Sequence, residues 1–193
     1  MVIVYHLIWM AYGWWLPNDP RGSNSKNIKR DVLKELGELH HGRKRAQPCS
    51  QIIRDFYKDA ADILKDELLT FTPREIEIIA NSFSTVISEQ GYTCYGCAIM
   101  PDHVHMVIRK HKHLAEEMIE HLQFGSRHEL LMERMNNHPV WGGPGWKVFL
   151  DSPEDVRRTI KYVEDNPVKM GLSKQQWGFV KPYDNWPLHK QGK

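Results

Sequence analysis

Between Gly91 and Leu114 the apolar residues leave helical spacing and form two strand-length runs, Tyr92–Met100 and His103–Arg109, joined only by the turn-forming pair Pro101-Asp102. So short a join makes the two strands antiparallel neighbours. Before them stands a fully punctuated helix. Thr72 is placed to cap it, Pro73 takes the first helical position, Glu75 completes a capping box, and Gly91 ends it. After them, Leu114, Met118, Leu122 and Leu130 return to helical spacing until Asn136-Asn137-His138-Pro139 breaks it.

The flanks extend this frame. Val2–Trp9 is rich in β-branched and aromatic residues and reads as a buried first strand. It runs into an aromatic loop (Tyr12, Trp14, Trp15) and the turn-rich Pro17-Asn18-Asp19-Pro20-Arg21-Gly22. The spacing of Ile52, Ile53, Phe56, Ala60, Ile63 and Leu64 predicts a helix over about 51–69. Lys147–Leu150 reads as a fourth strand. A last helix begins at Ser152-Pro153 and should stop near Asn166, because Pro167 disfavours α geometry in the residue before it. The order is strand, two helices, two strands, helix, strand, helix. That predicts a single α+β domain over 1–193, a ferredoxin-like βαββαβ core (about 2–172) with antiparallel sheet, an extra helix and a C-terminal tail, 173–193.

Composition narrows the function classes. No apolar run in the 193 residues approaches the roughly 18 needed to span a bilayer, and no basic region precedes the first apolar run as in a secretory signal. Three cysteines do not make a disulfide framework and fit a reducing cytoplasm. The net charge is only +2, but it is unevenly spread: residues 21–45 hold eight basic side chains against three acidic, a local +5 suited to a phosphate backbone or to a plain solvated loop.

Chemistry concentrates in two places. His103-Val104-His105 sets two imidazoles on the same face of a strand, while Val104, Met106 and Ile108 point to the core. Such a pair is half of a divalent-metal site, or two polar residues on a solvated face. The last helix offers Tyr162 and Asn166, four apart and so one above the other, beside the apolar stripe Val156, Ile160 and Val163. A phenol can act as an oxygen nucleophile and an amide oxygen can bind a hard cation, although both residues also suit a helix edge. A second pair, His111 and His113, flanks Lys112 after Arg109-Lys110 and reads as a basic strand end. Cys94 and Cys97 have C-x-x-C spacing without the further ligands of a zinc knuckle, and a regular strand would turn them to opposite faces.

Pro101-Asp102-His103-Val104-His105 followed by an apolar strand, with Tyr162-Val163-Glu164-Asp165-Asn166-Pro167-Val168 near the C-terminus, resembles the HUH single-tyrosine transposases and most closely their REP-associated branch. The loop from Tyr12 to Gly22 is similar to the one after the first strand in related members. The resemblance implies metal-dependent cleavage and rejoining of single-stranded, hairpin-marked DNA through a 5′-phosphotyrosine, as in transposition. It implies Tyr162 as nucleophile, and His103, His105 and Asn166 as ligands of Mg²⁺ or Mn²⁺, with Asn166 standing where the best-studied members carry the longer Gln. Trp14 and Trp15 are then candidates to stack bases or, equally, to pack in the core, and Arg21, Lys26, Lys29, Arg30, Arg43, Lys44 and Arg45 to hold the backbone. Hairpin or imperfectly palindromic single-stranded DNA is the expected partner, with a homodimer left open and no membrane. A water-activating nuclease and a non-catalytic hairpin-binding protein stand as alternatives.

Overall fold

The computed structural model describes residues 3–23, 25–42 and 44–186. In chain order the elements are β1 (Val4–Met10), a short 3-10 helix (Asp31–Leu36), α1 (Ser50–Ile63), α2 (Pro73–Gln90), β2 (Cys94–Ile99), β3 (His103–Arg109), α3 (Ala115–Arg134), β4 (Trp146–Leu150) and α4 (Pro153–Lys169). The sheet order is β2-β3-β1-β4 with every neighbouring pair antiparallel, which is the expected ferredoxin-like arrangement. Val2, expected at the head of the first strand, lies outside the described residues.

Both faces of the sheet are covered, so β1 is buried along its whole length. Tyr5, Leu7 and Trp9 join Val104, Met106 and Ile108 on the face packed by α2 and α3, through Ile79, Phe83, Met118 and Leu122. Val4, Val107 and Leu150 take the other face with Val156 and Val163 of α4. Burying each such aliphatic side chain contributes about 1.5–3 kcal/mol, enough to fix α4 across the sheet. The predicted capping box is formed, with Thr72 Oγ1 accepting from the Glu75 N–H and Gly91 closing α2 in the left-handed region.

Three expectations change. α1 ends at Ile63 instead of 69 because the backbone beyond it is engaged elsewhere: the Leu69 N–H donates to the Tyr12 carbonyl and the Phe71 N–H to that of Pro101. α4 runs through Pro167 to Lys169. The proline removes one donor, but its ring is buried, the Met170 N–H still reaches the Asn166 carbonyl, and Gly171 (φ 75°) ends the helix one turn later. Finally, a β-bulge between Cys94 and Gly96 shifts the register of β2, so Cys94 and Cys97 enter the same core cluster. Burial pushes the Cys94 thiol up to about 12 and Cys97 also upward, which makes both packing residues.

α1 and the 3-10 helix form a separate cluster around Leu16, Leu33, Tyr57, Ala60 and Leu64, the scaffold of the long loop after β1. The tail up to Trp186 packs over the domain: the side-chain amide of Gln175 bonds both the N–H and the carbonyl of Ile99, and the Lys181 N–H donates to the Cys94 carbonyl. These bonds cover the free edge of β2. No helix among the described residues is long and apolar enough to cross a membrane.

Candidate functional site

Strand parity places His103 and His105 of β3 on the α4 side of the sheet. Antiparallel pairing with β1 (Met10 opposite His103, Ile8 opposite His105) brings His6 to the same face, one diagonal step from His105. Nε2 of His6 lies 2.9 Å from Nδ1 of His105. The His103 and His105 rings stand 4.8 Å apart between centroids, and Nδ1 of His103 meets Oδ1 of Asp102 at 2.6 Å. Burial alone would raise the Asp102 carboxyl, but the hydrogen bond and charge of His103 hold it below its usual range. Burial drives His6 down to about 4, and burial followed by the charges of His103 and His6 drives His105 well below its ordinary value. Both rings are therefore neutral at physiological pH.

α4 supplies the opposite wall. Ser152 caps it by accepting from the Asp155 N–H, with Pro153 in its first turn. Burial of Val156 and Val163 then turns Arg158, Thr159, Tyr162 and Asn166 toward the imidazoles. The Tyr162 ring meets His105 edge-on at 5.5 Å and His6 at 6.1 Å, and with 43% of the residue exposed it is open to a ligand. Nδ2 of Asn166 is buried without a hydrogen-bond partner. His6, His103, His105, Arg158, Thr159, Tyr162 and Asn166 line one cavity of about 850 Å³.

The cavity mouth comes from loops. Trp15 and Trp146 both line it and meet edge-on with centroids 6.5 Å apart. Gly145 (φ 71°) keeps the chain against β1, since a Cβ there would fall 2.5 Å from the Ile8 carbonyl oxygen. Trp15 itself has a left-handed backbone (φ 53°), held by its N–H donating to Oη of Tyr57 and by the Arg21 guanidinium 4.0 Å above its ring.

The sequence-predicted set is thus divided. His103, His105, Tyr162 and Asn166 converge, and Trp15 stands at their rim. Trp14 does not line the cavity: it is partly buried, its indole donates to the Leu69 carbonyl and its ring packs 4.6 Å from Tyr57. Arg21 is also engaged internally, paired at 2.6 Å with the fully buried Asp19 and bonded to Tyr57, which removes it from the free cations. Lys26, Lys29, Arg30, Lys44 and Arg45 are exposed and do not line the cavity, although Ser23 and Ser25 carry their segment to its edge. Arg43 lies outside the described residues. His111 and His113 sit apart with Tyr92 and His121 beyond the end of β3.

The sequence reasoning missed His6, Arg158 and Trp146. His6 left one signal, a lone imidazole inside a strand of aliphatic and aromatic residues, and Arg158 another, its place one helical turn before Tyr162.

Two imidazoles with an orphaned carboxamide suit a divalent cation, because an amide that turns over presents its oxygen where the unpaired nitrogen stood. Among the described residues no three His, Cys, Asp or Glu side chains come together as a metal cluster, so such a cation would rely on Asn166 as well.

No protein-family model and no curated protein sequence matches the chain. Similar solved structures include a REP-associated tyrosine transposase bound to a REP hairpin, with 12% identity, a TM-score of 0.49, and coverage of 91% of this chain and 74% of that one. Another is a protein of Deinococcus radiodurans R1 provisionally assigned as a transposase, with 13% identity, a TM-score of 0.37, and coverage of 86% and 91%.

Proposed function

We propose that the chain is a transposase-type enzyme that cuts and rejoins single-stranded DNA by passing a phosphodiester to Tyr162. The observation that carries this reading is the convergence of an exposed phenol with two strand-borne imidazoles and an unpaired carboxamide in one cavity. The motif resemblance points to hairpin-marked strands as substrate.

Oη of Tyr162 attacks phosphorus and the bond to the 3′-oxygen breaks. The products are a 5′-phosphotyrosine and a free 3′-hydroxyl, the proton lost by the phenol balancing the one taken up by the leaving oxygen. The reverse attack by a 3′-hydroxyl reseals the strand without an external energy source. His103, His105 and Asn166 would hold Mg²⁺ or Mn²⁺, which when bound supplies polarisation of the phosphate and stabilises charge on its oxygens. Asp102 orients His103. Trp15 at the mouth offers a ring face to an unpaired base, and the exposed cations of residues 26–45 attract the backbone.

The test is incubation of the protein with hairpin DNA bearing single-stranded flanks and Mg²⁺ or Mn²⁺, followed by a denaturing gel. Cut strand together with protein-linked DNA is expected. Cutting without a covalent adduct would transfer the reading to a water-activating nuclease, and binding without cutting to a hairpin-binding protein.

A further inference from the structure

His6 lies on the central strand with hydrogen-bonded neighbours on both sides, opposite Val107 of β3 and Val148 of β4, and the reaction described above gives it no task. It is a buried polar residue on a rigid element, where an unpaired nitrogen would be costly. Its Nε2 is paired with Nδ1 of His105 at 2.9 Å. Tyr162 stands edge-on to both rings, at 6.1 and 5.5 Å, which restricts their turning.

The two histidines of β3 are treated alike. Nδ1 of His103 is engaged by Asp102 and Nδ1 of His105 by His6, so each has Nε2 left over. A neutral imidazole with its proton on Nδ1 has its lone pair on Nε2, and metal-binding histidines are commonly fixed in one tautomer by an acceptor on the other nitrogen. Asp102 is such an acceptor for His103. An imidazole nitrogen performs the same service without adding negative charge.

We propose that His6 is a positioning residue of the cation site: its Nε2 accepts the Nδ1–H of His105 and fixes His105 in the tautomer whose Nε2 is free to bind a divalent cation. This rests on the cation site proposed above. It also distinguishes His6 from a third ligand. Two nitrogens 2.9 Å apart could both face one cation, but His105 would then bind through Nδ1 and lose the proton that the hydrogen bond requires.

Two measurements on the full chain test it. The first is ¹⁵N NMR of the histidine rings, metal-free and then with Zn²⁺ as a diamagnetic probe. Metal-free His105 should carry its proton on Nδ1, and Zn²⁺ should perturb Nε2 of His103 and His105 while His105 Nδ1 keeps its proton. A proton on His105 Nε2, or Zn²⁺ bound at His6 Nε2, overturns the inference.

The second is the Mn²⁺ affinity of the wild type, His6→Leu, His6→Gln and His105→Ala. His6→Leu should weaken Mn²⁺ by about 10–100-fold, the usual effect of losing an orienting partner. His6→Gln, whose Oε1 can take the place of Nε2 and only accepts, should stay within about threefold of wild type. Unchanged affinity in His6→Leu, with His105→Ala impaired, overturns the role of His6 and leaves the cation site standing. Equal Mn²⁺ binding by wild type and His105→Ala removes the cation site and this inference together. Should His6→Leu fail to fold, the ring tautomers of the wild type and the affinity of His6→Gln decide.

Discussion

The ring of Tyr162 stands edge-on to that of His105, centroids 5.5 Å apart at an interplanar angle of 81°, so the phenol is buttressed by an imidazole while the residue stays 43% exposed. The contact is made by the ring and not by the hydroxyl. Tyr162→Phe should therefore keep the fold, with stability within about 0.5 kcal/mol of wild type and DNA affinity unchanged, while cleavage and covalent adduct are both lost. Denaturant unfolding, a binding titration and the denaturing gel check the three parts. A correctly folded Tyr162→Phe protein that still cuts would exclude the phenol as nucleophile.

The two H-x-H pairs make a paired prediction. His103→Ala or His105→Ala takes away one of the two imidazoles proposed to hold the cation, and the cleavage rate should fall at least about 100-fold. His111→Ala and His113→Ala alter a cluster around Tyr92, where Oη lies 2.8 Å from Nδ1 of His113, and should leave the rate unchanged. Cleavage assays of the four variants under one set of metal concentrations decide it, and dependence on the second pair alone would move the site to the far end of β3.

What could be read in advance follows from how local the responsible physics is. The capping box of α2, the parity of His103 and His105, and the one-turn spacing of Tyr162 and Asn166 are fixed by residues within a few positions of each other, and all three reappear in the structure. The bulge that turns Cys94 and Cys97 to one face depends on pairing with β3, and nothing in Cys94-Tyr95-Gly96-Cys97 alone specifies it. His6 belongs to the site only because β1 lies beside β3, a neighbour relation set by the whole fold. Trp14 and Trp15 are adjacent in sequence, yet one packs against Tyr57 and the other lines the cavity mouth because Tyr57, some 40 residues on, captures the loop between them and Arg21.

Acid should loosen the fold through the buried imidazoles. His6 titrates at about 4 in the fold against 6.5 in the unfolded chain, so as pH falls below about 6.5 the unfolded chain takes the proton first and stability declines until about pH 4. Between pH 7 and 5 the loss from His6 is about 2 kcal/mol, and His105, shifted the same way by burial and its two neighbouring rings, adds to it. Urea midpoints in EDTA at the two pH values should show a smaller drop for His6→Gln than for wild type. Equal drops would mean that the His6 ring is already protonated or accessible in the fold.

The last prediction separates structural from free cations within the basic segment. Asp19 is fully buried, and Arg21 meets both of its carboxylate oxygens, at 2.9 Å through Nε and 2.6 Å through its terminal nitrogen, while Tyr57 donates to the same carboxylate. Removing the guanidinium leaves a buried negative charge held only by the Tyr57 hydroxyl and the backbone N–H of residue 21, and takes the cover off the Trp15 ring, so Arg21→Ala should destabilise the protein by about 3 kcal/mol. Lys29, exposed on the same segment, has no such duty: Lys29→Ala should leave stability within about 0.5 kcal/mol of wild type. If its ammonium meets a phosphate of a bound single strand, the slope of log affinity against log salt should fall by about 0.7. Chemical denaturation and a salt series with hairpin DNA measure both quantities on each variant. A stable Arg21→Ala protein with a reduced salt slope would show that the guanidinium faces DNA and that the Asp19 pair is dispensable, whereas an unstable one whose remaining folded fraction keeps the wild-type slope assigns Arg21 to the scaffold that holds Trp15 at the cavity mouth.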